Sequence, residues 1–107
     1  MEIKETQIFT KQIINLMPDE DYNLLQIALI LNPELGPIIK GSGGIRKIRW
    51  SLPGKGKRGG SRIIYYWQLL QNQIFMLIAY SKHEQENFTK KQLKILKEIV
   101  ETELKNG

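Results

Sequence analysis

Cations placed two residues apart set the chemistry open to this chain. Lys47 and Arg49 lie in Ile45-Arg46-Lys47-Ile48-Arg49-Trp50, whose alternation predicts a β-strand. Successive strand side chains point to opposite faces, so Lys47 and Arg49 share one face while Ile48 and Trp50 take the other. The two cations then stand roughly 7 Å apart, which suits neighbouring oxygens of one nucleic-acid backbone. Arg62 opens a later apolar run, and if the two strands pair as a hairpin it comes near Arg49, although register is not readable from sequence. Three fixed cations around one phosphate would stabilise the extra charge of a pentavalent transition state. Plainer readings stand beside this one: a solvated strand face for Lys47 and Arg49, and for Arg62 a pairing with Glu84 or Glu86.

His83 is the sole histidine, which removes any two-histidine ribonuclease site. It follows Lys82 near Tyr80, and its ordinary pKa lets an imidazole act as acid or base near neutrality; a solvated surface histidine is the alternative. The run Pro53-Gly54-Lys55-Gly56-Lys57-Arg58-Gly59-Gly60 invites a phosphate-loop reading, but Ser61-Arg62 and a strand follow it where that motif needs Lys-Ser/Thr and a helix. Lys55, Lys57 and Arg58 instead read as a cationic arm for a polyanion, or as a loop ordered by a partner. No carboxylates have metal-ligand spacing, so no metal and no cofactor is expected. Tyr65, Tyr66 and Trp67 are candidates for base stacking, yet alternation sets Tyr65 and Trp67 on one face and Tyr66 on the other, and aromatics of a central strand usually belong to the core.

The charge distribution points the same way. The 107 residues carry a net charge of +5, but between Leu35 and His83 there are nine Lys or Arg and no Asp or Glu. The rest of the chain has seven basic residues against eleven acidic ones. A polyanion is the natural partner of such a surface, since each phosphate contact releases condensed counterions. Cysteine is absent, which excludes disulfides, thiolate metal sites and thiol nucleophiles. With no leader pattern and no apolar run near ~20 residues, a cytoplasmic protein without a membrane partner is expected.

A single domain over residues 1–107 must hold these groups. A weak edge strand is expected over Glu2 to Thr6. Apolar spacing predicts a helix over Ile8 to Met17 and, after Pro18, a second with Asp19 as N-cap and acids in its first turn, running to Leu31 before Asn32-Pro33. The two would form a helical hairpin. Gly41-Ser42-Gly43-Gly44 reads as a flexible connector to the Ile45 to Trp50 strand. Two nearly continuous apolar runs follow, Arg62 to Leu70 and Ile74 to Tyr80, as expected of covered antiparallel strands. Thr89 and Gln92 have capping-box spacing for a last helix with Leu93, Leu96, Ile99, Val100 and Leu104 as its apolar stripe. The fold class is α+β: a helical hairpin, an antiparallel sheet of three to four strands, then a helix.

Three segments taken together resemble the RelE/HigB toxins of type II toxin–antitoxin systems: Gly43-Gly44-Ile45-Arg46-Lys47-Ile48-Arg49, the long Gly54 to Tyr66 run (GKGKRGGSRIIYY), and Tyr80-Ser81-Lys82-His83-Glu84. The central run is most similar to the HigB-like branch, and residues 31–36 (LNPELG) extend the likeness. The resemblance implies an endoribonuclease, an mRNA interferase that cuts translated messenger RNA in the ribosomal A site beside rRNA and so inhibits translation. It further implies metal-independent attack of a 2′-hydroxyl on its own phosphate. By position, Lys47 would help activate the nucleophile, Arg49 contact phosphate, and Arg62 stabilise the transition state. Arg46, Lys55, Lys57, Arg58 and Lys82 would bind RNA. Some relatives use an arginine and a later tyrosine where this chain has His83 and Phe88-Thr89, so His83 is the first candidate for protonating the leaving oxygen and Tyr80 the second. A cognate antitoxin would neutralise the protein by covering the cationic face or wrapping the helices. The rival reading is a noncatalytic RNA- or DNA-binding module using the same basic face.

Overall fold

The computed structural model describes residues 1–51, 60–84 and 89–104, with side chains to residue 102. Lys55, Lys57, Arg58, Glu86 and Phe88, and the side chain of Leu104, lie outside that set.

Among the described residues the sheet has four strands, β1 (Glu2–Glu5), β2 (Ile45–Trp50), β3 (Ser61–Gln68) and β4 (Gln73–Ser81), in the order β1-β4-β3-β2. The last three pair antiparallel, as expected, whereas β1 pairs with β4 in parallel. A parallel neighbour requires a crossover, and β1 hands the chain directly to helix α1 (Gln7–Leu16). Thr6 makes that turn. Its amide donates to Met76 O at 3.1 Å, its hydroxyl donates to Leu77 O at 2.7 Å, and the same hydroxyl caps α1 by accepting from Phe9 N–H. Beyond β1 the exposed edge of β4 is met by a side chain instead, Ala79 N–H donating to Gln12 Oε1 at 2.8 Å.

Helix α2 (Asp19–Leu31) starts as expected, but its N-cap is Pro18, which makes no side-chain cap bond. Asp19 is already helical, and with Glu20 and Asp21 it serves as negative charge at the positive helix end. Phe9 and Ile13 of α1 and Leu25 and Leu29 of α2 are buried against Ile63, Tyr65, Ile74 and Met76 of one sheet face. Helix α3 (Lys90–Ile99), opened by the Thr89–Gln92 capping box, continues into a π-helical turn (Val100–Leu104). Leu96 and Val100 close the opposite face over Ile45, Ile64, Leu77 and Tyr80. Both faces are therefore covered, which is why β3 and β4 read as continuous apolar runs rather than alternating ones. Strand β3 ends at Gln68, and Leu69 and Leu70 are exposed in the turn to β4.

The glycine-rich connector is a built turn rather than a flexible link. Gly41, Gly43 and Gly44 all have positive φ, a region that glycine enters without steric cost. Ser42 is fully buried between them, its hydroxyl donating to Ile45 O at 3.1 Å and accepting from Ile45 N–H at 2.9 Å.

Candidate active site

Lys47 and Arg49 lie on the α3 face of β2, because Ile45 belongs to the cluster under α3 while Ile48 and Trp50 pack toward α1 and α2. Ladder register supplies what alternation could not. Arg49 stands directly opposite Arg62, and Arg62 directly opposite Tyr80, so three strands contribute one row across the sheet. Lys47 lies one step along, opposite Ile64.

The pair type follows from the edge hydrogen bonds. Lys47 N–H donates outward to Pro37 O at 3.1 Å, and Ile45 O accepts from Ile39 N–H at 2.8 Å. Odd-numbered residues of β2 thus turn their backbone groups away from β3, which makes Arg49–Arg62 a non-hydrogen-bonded pair with Cα atoms about 4.5 Å apart, the closer kind. Two like charges directly opposite each other destabilise a sheet. Here one of them, Arg62, is also 4 % exposed. The electrostatic consequence is registered at Lys47, whose pKa is lowered by burial first and then by the charges of Arg49 and Arg62. Burial and like charge therefore both act against the protonated form of Lys47.

Tyr80 joins the row through a β-bulge. The β3–β4 register shifts between Ile64 and Tyr65, with Ile64 opposite Ile78 but Tyr65 opposite Met76. Continued without that shift, the Tyr66–Phe75 register would bring Ala79 opposite Arg62 and turn Tyr80 toward α1 and α2. Bulges re-aim side chains in this way beside functional sites.

Other sequence candidates fall elsewhere. Lys82 and His83 are exposed in the turn after β4, past the end of the row. Glu84 closes that turn, its carboxylate accepting from Ser81 N–H at 3.1 Å. Lys82 N–H reaches Gly60 O at 3.4 Å, tying the turn to the start of β3. Arg46 is on the other face: its guanidinium donates to Gly36 O at 2.9 Å and pairs with Glu34 at 3.9 Å. Tyr65 is wholly buried, and Tyr66 packs under α3 and Trp67 toward the helical pair. Among the described residues no three His, Asp or Glu side chains come together as metal ligands.

Sequence reasoning missed what supports β2. The Tyr65 hydroxyl donates to Pro33 O at 2.8 Å and accepts from Gly36 N–H at 2.9 Å, fixing residues 33–36 over the strand. Gly36 is required there, since a Cβ would meet Lys47 O at 2.9 Å and Tyr65 Cε1 at 3.1 Å. The signals were present as a Gly-Pro pair after a helix and a tyrosine in a central strand, but neither names its partner. Gly60, at φ +63°, holds the start of β3 against Trp50 O and Ser51.

The family described as "RelE toxin of RelE / RelB toxin-antitoxin system" matches residues 31–106. The free E. coli toxin RelE, solved with two arginines replaced by alanine, superposes with a TM-score of 0.60 at 15% identity over 79% of this chain and 86% of that one. The toxin–antitoxin complex RelBE of E. coli gives 0.58 at 15% identity, covering 75% of this chain and 94% of the matched one.

Proposed function

Because this chain belongs to the RelE toxin family, we propose that it is a HigB-like toxin that cleaves messenger RNA in the ribosomal A site, acting in the cytoplasm without metal or cofactor. The observation that carries this reading is the convergence of Arg49, Arg62 and Lys47, with Tyr80 completing the row. A lysine whose pKa is lowered keeps more neutral amine near pH 7 than an ordinary one, and so accepts a proton more readily. In the proposed step the Lys47 amine takes the 2′-hydroxyl proton as that oxygen bonds to phosphorus. The bond from phosphorus to the 5′-oxygen breaks, and that oxygen takes a proton from an acid. The products are a 2′,3′-cyclic phosphate and a 5′-hydroxyl. Arg49 and Arg62 bind the phosphoryl oxygens as their charge grows, where preorganised donors act most strongly.

Two groups at this end of β4 can supply the leaving-group proton: Tyr80 within the row, and His83 in the turn that follows. Tyr80→Phe and His83→Gln separate them, because the variant lacking the acid loses kcat without a matching change in ribosome binding. Lys82, Lys55, Lys57 and Arg58 would add contacts to rRNA and mRNA. The E. coli relative is known in complex with its antitoxin, which supports a cognate antitoxin for this chain.

The test is transcript-end mapping shortly after expression in bacteria. Wild type is expected to produce cuts confined to translated regions, and Arg62→Ala to abolish them while keeping most ribosome affinity, since one phosphate contact is a small part of binding. A noncatalytic binding module would give no new ends with either protein.

A further inference from the structure

Among the described residues, the outer edge of β2 is covered along only half its length. Residues 37–39 take up the outward backbone groups of Ile45 and Lys47. By ladder alternation the N–H and C=O of Arg49 point to the same side, and among the described residues no backbone group meets them there. At this point the surface sinks into a cleft of about 600 Å³ lined by Leu35, Pro37, Lys47, Arg49, Trp50 and Ser51. Leu35, held by the segment that Tyr65 fastens, is 42 % exposed at its mouth.

The cleft therefore combines apolar walls, an outward backbone donor and acceptor, and two cations that also belong to the phosphate-binding group. A nucleobase has matching features: flat apolar faces, a hydrogen-bonding edge, and a phosphate attached within a few ångströms. Single-stranded RNA is commonly recognised by splayed bases of this kind. A peptide strand could use the backbone edge, but has no phosphate to lie beside Lys47 and Arg49.

We propose that this cleft seats the base of the nucleotide adjoining the scissile phosphate, so that Leu35 and Pro37 help decide which nucleotides are cut. The inference rests on the ribonuclease reading and adds a specificity subsite to it.

The experiment uses the full chain in a reconstituted translation system, with an mRNA library that presents every codon to the A site and 5′ ends counted by sequencing. Leu35→Trp fills the cleft and is expected to lower cutting beside purines relative to pyrimidines by about tenfold, the scale on which apolar pockets discriminate by size. Leu35→Ala enlarges the cleft and is expected to move the same ratio the other way by about threefold. If Leu35→Trp fails to melt cooperatively, Leu35→Ala, which deletes only half-exposed atoms, carries the test. Cutting by a folded variant with the wild-type nucleotide distribution overturns the proposal and leaves the ribonuclease reading intact. So does a variant with wild-type cutting that its antitoxin no longer neutralises, an outcome that assigns the cleft to a peptide. If wild type yields no cuts, the ribonuclease reading itself fails and the subsite falls with it.

Discussion

Replacing Arg49 by Gln should stabilise the fold while removing activity. Lys47 and Arg49 are two residues apart on one strand face, about 7 Å by strand rise. Unit charges at that separation repel by about 0.6 kcal/mol at the dielectric of water and about 2.4 kcal/mol at an effective value of 20. Arg49 is exposed and its end can swing away, which puts the interaction in the surface regime, where pairs rarely exceed about 1 kcal/mol. Arg62, directly opposite and buried, adds a second repulsion of the same sign. The gain should be about 0.5–1 kcal/mol at low salt, a rise in Tm of roughly 2–8 °C for a domain of this size. Lys40→Gln is the control, because Lys40 is an exposed cation of the same acid-free stretch that precedes the Gly41–Gly44 turn. Urea unfolding at 10 mM and 1 M salt separates the effects, since the Debye length falls from about 30 Å to about 3 Å. The Arg49→Gln gain should shrink toward zero at high salt and exceed that of Lys40→Gln at low salt. Equal gains for the two variants, or a destabilised Arg49→Gln, would refute the idea that the fold forces these cations together.

Three further outcomes are expected. Tyr65→Phe removes the hydroxyl that joins Pro33 O and Gly36 N–H, leaving a buried amide unsatisfied, and should lower stability by about 1–3 kcal/mol in urea titrations. Gly36→Ala should cost a similar amount, about 1–3 kcal/mol, with altered amide shifts at Lys47, because its Cβ meets the Lys47 backbone at 2.9 Å and the buried Tyr65 ring at 3.1 Å. Lys47 titrates below 10.5 in the folded protein, so between its folded value and 10.5 the unfolded chain binds more protons and stability rises with pH. Below the folded value the penalty is complete and constant. Urea midpoints across this range should show that slope in wild type and a flatter one in Lys47→Met.

Much of the architecture is local in origin and could be read from residue order. The capping box at Thr89 and Gln92, the acids opening α2, and the alternation of Ile45 to Trp50 each depend on neighbours within a few positions. The three antiparallel strands and the shared face of Lys47 and Arg49 follow from such patterns. Periodicity also carried Tyr65 and Trp67 to one side of β3 and Tyr66 to the other. The Gly41–Gly44 segment misled, because glycine signals unusual φ and freedom equally well, and only the buried Ser42 hydroxyl distinguishes a built turn from a loose one. Asp19 misled for a related reason, since capping preference and first-turn charge preference favour the same residue type.

What residue order alone determined, then, is the inventory of cations, their separation along β2 and the face they share, because these depend only on a strand's period of two. Their assembly into one row was decided by tertiary structure. Arg49 opposite Arg62 is a matter of register, which is set by which strand faces bury together. Tyr80 beside Arg62 depends on one extra residue in β4, a bulge whose position answers to packing on both sheet faces. The placement of Leu35 at the cleft beside β2 depends likewise on a tyrosine hydroxyl about thirty residues away in sequence. Such contacts join distant segments through burial, and burial has no signature in local spacing.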